Sequence, residues 1–131
     1  MLEQKIVEKK RMAKKILVAD DEPHILQLVR MILEESYEII EAGDGEEAYR
    51  LISEKKPDLV LLDVMMPEMN GYEVCQKMKQ DPRTRDIKIA MLSAKAQEKD
   101  IIQGLKLGAD YYLTKPFDPE RLKGDIKKIL G

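Results

Sequence analysis

The segment 57–63, "PDLVLLD", constrains the fold more than any other part of the chain. Leu59, Val60, Leu61 and Leu62 form an uninterrupted apolar run. A strand with one wet face would alternate, so this one must be covered on both faces, as the interior strands of a parallel sheet are. The run is also too short for a buried helix, and Pro57 and Asp58 bound it in front. It ends on a carboxylate, Asp63, and that raises the functional question. A charged group at the tip of a buried strand is costly unless something there uses it.

The rest of the chain repeats the same unit. Apolar runs at 15–19 "KILVA", 37–42 "YEIIEA", 58–63 "DLVLLD", 87–92 "IKIAML" and 110–113 "DYYL" alternate with amphipathic stretches at 23–35, 45–55, 70–80, 96–107 and 119–130. Leu26, Val29 and Leu33, then Ala48, Leu51 and Ile52, then Ile101 and Leu105, each share one helical face. Pro23 and Pro119 fall where the first turn of a helix tolerates proline, behind candidate caps Asp21 and Asp118. Five strands alternating with five helices predict an α/β fold with helices on both faces of a parallel sheet. Right-handed crossovers leave few topologies. The leading one for this size is the flavodoxin-like five-stranded order 2-1-3-4-5.

Composition supports one domain and excludes several functions. The 131 residues suffice to bury roughly two-thirds of the unfolded surface. The first fifteen carry six basic side chains against Glu3 and Glu8, whereas the rest holds 17 basic and 23 acidic residues. A body with an excess of six negative charges does not fit direct nucleic-acid binding, which needs clustered Lys and Arg. No apolar run approaches the ~18 residues of a membrane span, and no secretory signal pattern opens the chain. The one cysteine, Cys75, excludes an intramolecular disulfide, and its helical spacing with Val74 and Met78 reads as core packing. A cytoplasmic location is expected. Residues 1–14 stand apart as an N-terminal extension: a solvated tail, or a helical extension touching a second copy or another domain. Met12 is an alternative start. Residues 15–131 form the expected domain; with no linker seen behind the fifth helix the expectation is a stand-alone protein, the front half of a transcription factor being the alternative.

In a parallel sheet all strands point one way, and their C-terminal ends share a rim. The residues at those ends are Asp20 and Asp21, then Asp63, then Ser93, then Thr114 and Lys115. Ligands of open α/β sheets bind at this edge. Two carboxylates ~5 Å apart at an effective dielectric of ~20 repel by about 3 kcal/mol, so three call for a proton or a cation. An all-oxygen donor set favours a hard divalent ion such as Mg²⁺. With Lys115 it would neutralise a phosphoryl group held on one carboxylate, and Asp63, on the central strand, is the natural acceptor.

With these residues in place, the chain from 15 to 130 closely resembles the receiver domain of two-component response regulators, chemotaxis-regulator-like in stopping after the fifth helix. The resemblance is carried by "VADDEP" (18–23), "LLDVMMPEMNGYEV" (61–74), "MLSAK" (91–95) and "ADYYLTKPF" (109–117), in that order and spacing. It implies that Asp63 accepts a phosphoryl group from the phosphohistidine of a sensor histidine kinase or a phosphotransfer protein. Asp20, Asp21, Asp63 and the backbone carbonyl of Met65 would hold Mg²⁺, or Mn²⁺ in its place. Lys115 would pair with a phosphoryl oxygen, Ser93 would hydrogen-bond the phosphoryl group, and Tyr112 would turn inward as Ser93 moves. Pro116 resembles the family's cis proline. The surface of the fourth helix, fifth strand and fifth helix would change and bind a downstream protein target, as a monomer or a phosphorylation-dependent dimer. The domain would catalyse only its own phosphorylation and dephosphorylation, with Met65 and Lys95 beside the site tuning phosphoryl lifetime. A phosphatase of the haloacid dehalogenase type would carry an acid/base Asp where this chain has Met65, which cannot transfer protons. A pseudo-receiver is disfavoured because every required side chain is present.

Overall fold

The computed structural model describes residues 2, 3 and 13–131. Most of the expected N-terminal extension, residues 4–12, lies outside the described residues. Among the described residues from 13 onward, five strands, β1 (Lys15–Ala19), β2 (Glu38–Ala42), β3 (Leu59–Leu62), β4 (Lys88–Ser93) and β5 (Tyr111–Thr114), alternate with five helices. These are α1 (Pro23–Leu33), α2 (Gly45–Lys55), α3 (Gly71–Gln80), α4 (Glu98–Lys106) and α5 (Pro119–Leu130). All strand pairings are parallel, and the order is β2-β1-β3-β4-β5, the order expected from the sequence.

The apolar runs form interior strands because successive residues feed two separate cores. Leu17, Ala19, Val60, Leu62, Ile89 and Met91 pack on the side of Ala48 and Ile52 of α2 and Val74, Cys75 and Met78 of α3. Ile16, Val18, Leu59, Leu61, Ala90 and Leu92 pack on the other side against Val29 and Leu33 of α1 and Leu122 and Ile126 of α5. Every residue of β3 is fully buried, so polar replacement at any of them would strand an unpaired group. Cys75 is buried with the core, as its spacing indicated, and burial pushes its thiol pKa up to about 11.

Two caps differ from expectation. The residue preceding α1 is Glu22, not Asp21, and neither it nor Asp118 before α5 makes a side-chain cap. In α1 the Glu22 N–H is taken by the Asp20 carboxylate at 2.9 Å, so the acidic pair serves the rim rather than the helix. At α2 the Asp44 side chain accepts from the Glu47 N–H at 2.8 Å. At α3, Asn70 and Glu73 cap each other reciprocally.

The rim opposite the strand tips is fastened by lysines. Lys14 Nζ donates to the Leu130 carbonyl and Lys88 Nζ to the Ile129 carbonyl, both at 2.7 Å, satisfying two of the acceptors that end α5.

Candidate functional site

The site is assembled by ladder hydrogen bonds that run on past the strands. Asp20 N–H donates to the Ala42 carbonyl (3.1 Å), Asp63 N–H to Ala19 (2.9 Å) and Lys115 N–H to Ser93 (2.9 Å). These bonds tie the ends of β2, β1 and β3 together and the end of β5 to that of β4, and the side chains of Asp20, Asp21, Asp63 and Lys115 converge. Oxygens of Asp20, Asp21 and Asp63 lie within 4.8 Å of one another. Asp20 and Asp63 are buried, and Asp21 is exposed at the mouth. Lys115 crosses from β5, its Nζ at 2.5 Å from Asp20 Oδ2 and 3.6 Å from Asp63 Oδ1. The peptide bond from Lys115 to Pro116 is cis.

One ammonium cannot offset three carboxylates. Burial, and then repulsion from Asp20, raise the Asp63 pKa from 3.8 to about 6, with Asp21 adding to the effect. Lys115 and the backbone N–H of Met65 pull the other way without prevailing. Burial works to lower the Lys115 pKa, but its hydrogen bond to Asp20 and the charge of Asp63 overcome that and raise it. A surplus of negative charge among hard oxygen donors is a setting that a divalent cation fits.

Ser93 and Thr114 are the last residues of their strands rather than the first of the loops. Ser93 is fully buried, and its Oγ accepts from the Lys95 N–H at 3.1 Å. The two tyrosines of β5 part as alternation requires: Tyr111 is exposed, while Tyr112 packs against the core on the α2–α3 side. The Tyr112 hydroxyl donates to the Lys95 carbonyl, and its ring lies against Gly104 of α4. Burial, with Tyr72 nearby, raises the Tyr112 pKa, and Ser93 opposes this.

The site also recruits residues that sequence patterns did not single out. Glu22 stands 4.0 Å from Lys115 Nζ. Gly71, first residue of α3, lets that helix start against the Asp63 backbone: a Cβ there would lie 2.9 Å from the Asp63 carbonyl carbon. Tyr72 donates from its hydroxyl to the Asp100 carbonyl at 3.1 Å, tying α3 to α4. Met65, which the sequence did single out, is 59 % exposed and leaves its side chain in solvent beside the acceptor.

Comparison with known proteins agrees with this geometry. Residues 16–127 match the family described as the response regulator receiver domain. The chain is 48% identical over 120 residues to the alkaline phosphatase synthesis transcriptional regulatory protein PhoP of Bacillus subtilis, covering 91% of this chain and 49% of that protein. It is 45% identical over 118 residues to the phosphate regulon transcriptional regulatory protein PhoB of Pseudomonas aeruginosa, covering 89% and 52%. The chain thus spans about half the length of these curated relatives. Among solved structures, the chemotaxis response regulator CheY4 of Vibrio cholerae superposes with a TM-score of 0.86 at 31% identity, covering 91% of this chain and all of that one. A response regulator from Chloroflexus aurantiacus gives 0.85 at 34%, covering 90% and 98%.

Proposed function

Because the chain belongs to the response regulator receiver domain family, we propose that it is a phosphorylation-driven switch whose acceptor is Asp63. The observation that carries this is the convergence of three carboxylates within 4.8 Å of one another with Lys115 Nζ at 3.6 Å from Asp63.

In the proposed reaction a carboxylate oxygen of Asp63 attacks the phosphorus of a partner's phosphohistidine. The new O–P bond forms as the P–N bond breaks. The electron pair stays on the imidazole nitrogen, which takes a proton from water, and Asp63 becomes an acyl phosphate. Asp20, Asp21, Asp63 and the Met65 carbonyl would hold Mg²⁺, with Mn²⁺ as a substitute, and the bound ion supplies charge neutralisation on the phosphoryl oxygens. Lys115 offers the second cation. It already sits between Asp20 and Asp63, and a flexible ammonium suits a group that comes and goes. Ser93 Oγ, held at the tip of β4, would donate to the phosphoryl group in place of accepting from Lys95.

A phosphoryl group of about −1.5 to −2 charge takes the place of the carboxylate's single charge, a net gain of up to about one negative charge at a rigid rim. Phosphoryl contacts to Ser93 and Lys115 would favour one arrangement of the β4–α4 and β5–α5 loops, and Tyr112 would report it on the α4–β5–α5 surface. Output would then be binding of a downstream protein, or of a second copy, in the cytoplasm. The chain itself would do no chemistry beyond its own phosphorylation and dephosphorylation.

Incubation with acetyl phosphate and Mg²⁺, followed by intact mass measurement, tests this. A gain of one phosphoryl group, lost with chelator and with Asp63→Asn, is expected. No gain in the wild-type protein, or turnover of unrelated phosphate esters, would overturn the assignment.

A further inference from the structure

We propose that Gly45 is a positioning residue for the phosphoryl-accepting segment: the first turn of α2 is the wall against which the loop carrying Val64 to Asn70 is set. The inference rests on the receiver reading above, since it concerns where that loop holds Met65 beside Asp63.

Gly45 is buried and opens α2. Its backbone does not lie in the left-handed region, so conformational freedom does not explain a glycine here. Close approach does. A Cβ at position 45 would stand 2.8 Å from both the carbonyl carbon and the Cβ of Met69, and nearer still to the Met69 oxygen. The obstacle is backbone, which cannot rotate aside.

The strain of a larger residue has nowhere to go except along the loop. α2 cannot retreat, because Ala48 and Ile52 are fully buried and Asp44 clamps its first turn. The far end of the loop is fixed by Gly71 against the Asp63 backbone. Between the two glycines the chain is folded tightly on itself: Met69 N–H donates to Pro67 (2.7 Å), and Met66 and Gly71 both donate to Val64 (3.2 and 3.0 Å). Met65, inside this span, follows Asp63 by two residues, and Val64, which accepts from both Met66 and Gly71, is joined directly to the acceptor. A push at Met69 is therefore transmitted to the acceptor, and errors of about 1 Å at such a site cost on the order of 10²-fold.

The fold supplies its own control. Gly43, two residues earlier, has nothing within 4 Å of where a Cβ would be. Wild type, Gly43→Ala and Gly45→Ala are compared for Mg²⁺ affinity by calorimetry at low temperature, for acetyl phosphate acceptance at saturating Mg²⁺, and for thermal stability. Gly45→Ala is expected to weaken Mg²⁺ binding roughly tenfold and slow acceptance by about as much or more, while Gly43→Ala stays within about twofold of wild type. A Gly45→Ala protein that melts earlier but, when folded, binds Mg²⁺ and accepts phosphoryl like wild type would overturn the proposal in favour of plain packing. Should that variant not fold, amide spectra of the wild type decide: Mg²⁺ must shift the signals of Gly45 and Glu46 together with those of Val64 to Asn70, and stationary Gly45 and Glu46 signals overturn it. A wild type that binds no Mg²⁺ and gains no phosphoryl would instead sink the receiver reading and this inference with it.

Discussion

Replacing Asp63 by Asn should make the metal-free protein more stable at neutral pH, although it removes the residue on which the proposed function depends. The folded-state pKa of Asp63 is raised from 3.8 to about 6, chiefly by burial and by Asp20. A raised carboxylate pKa means that the proton, not the charge, is bound more tightly in the fold. Its stabilising contribution is complete below about pH 3.8 and is lost as pH rises through about 6. At about 1.4 kcal/mol per pH unit the full penalty above pH 7 is ~3 kcal/mol, and screening at a rim open to water reduces it to ~2 kcal/mol. Asn lacks the charge at the same size and leaves the backbone bond to Ala19 in place. For a domain of this length, ~2 kcal/mol corresponds to a rise in melting temperature of about 6–10 °C. Urea and thermal melts followed by circular dichroism, in chelator between pH 4 and 8, measure it. The variant's advantage should be near zero at pH 4, grow through pH 6 and level off by pH 8. Adding Mg²⁺ at ~100 times its dissociation constant should stabilise the wild type by about 2.7 kcal/mol and reverse the order. A variant less stable than wild type at pH 8 in chelator, or a difference constant with pH, would refute the electrostatic argument.

Three further outcomes are expected. Lys115→Gln removes the cation between Asp20 and Asp63, so the Asp63 carboxyl should titrate above about 6 by carbon-13 NMR, and acetyl phosphate acceptance should slow roughly 10²-fold. Gly104→Val places methyl groups where even a single Cβ would lie 3.2 Å from the Tyr112 ring; the ring should move out, and its phenol, raised in pKa in the wild type, should ionise at lower pH in a spectrophotometric titration. Asn70→Ala breaks the reciprocal cap of α3 and should cost ~1 kcal/mol in urea melts, with Asp63 still accepting phosphoryl.

The sheet was legible in the sequence because burial on both faces leaves a mark that one-sided burial does not. Val60 and Leu61 point to opposite cores, and both have to be apolar. The rim was legible for a related reason: a carboxylate or an ammonium directly after such a run has one plausible address, the C-terminal edge of a parallel sheet. Strand ends were less clear. Ser93 and Thr114 belong to their strands because the ladder continues one bond further, to the Lys115 N–H, and no side-chain pattern announces that. The cap of α1 was misplaced because Glu22, whose side chain makes no cap, takes the N-cap position, while the Asp20 carboxylate just past β1 accepts the Glu22 N–H and stays at the rim. Least visible was the meeting of Gly45 with Met69. The two are distant in sequence, follow no period, and touch only because α2 and the loop before α3 are folded against each other. The left-handed backbone at Glu68 (φ 64°) is similar: a non-glycine residue hid a turn for which glycine would have been the signal.

The lysine that grips the end of α5 has a consequence for how the chain can be wired. Lys14 reaches the Leu130 carbonyl, so the start of β1 and the end of α5 stand one side chain apart. A short glycine-rich bridge from residue 131 to residue 13 could close the chain into a ring, which could be reopened at the exposed turn of Glu34 and Glu35. In such a permutant the segments would be synthesised in a new order while the acidic pocket kept its neighbours.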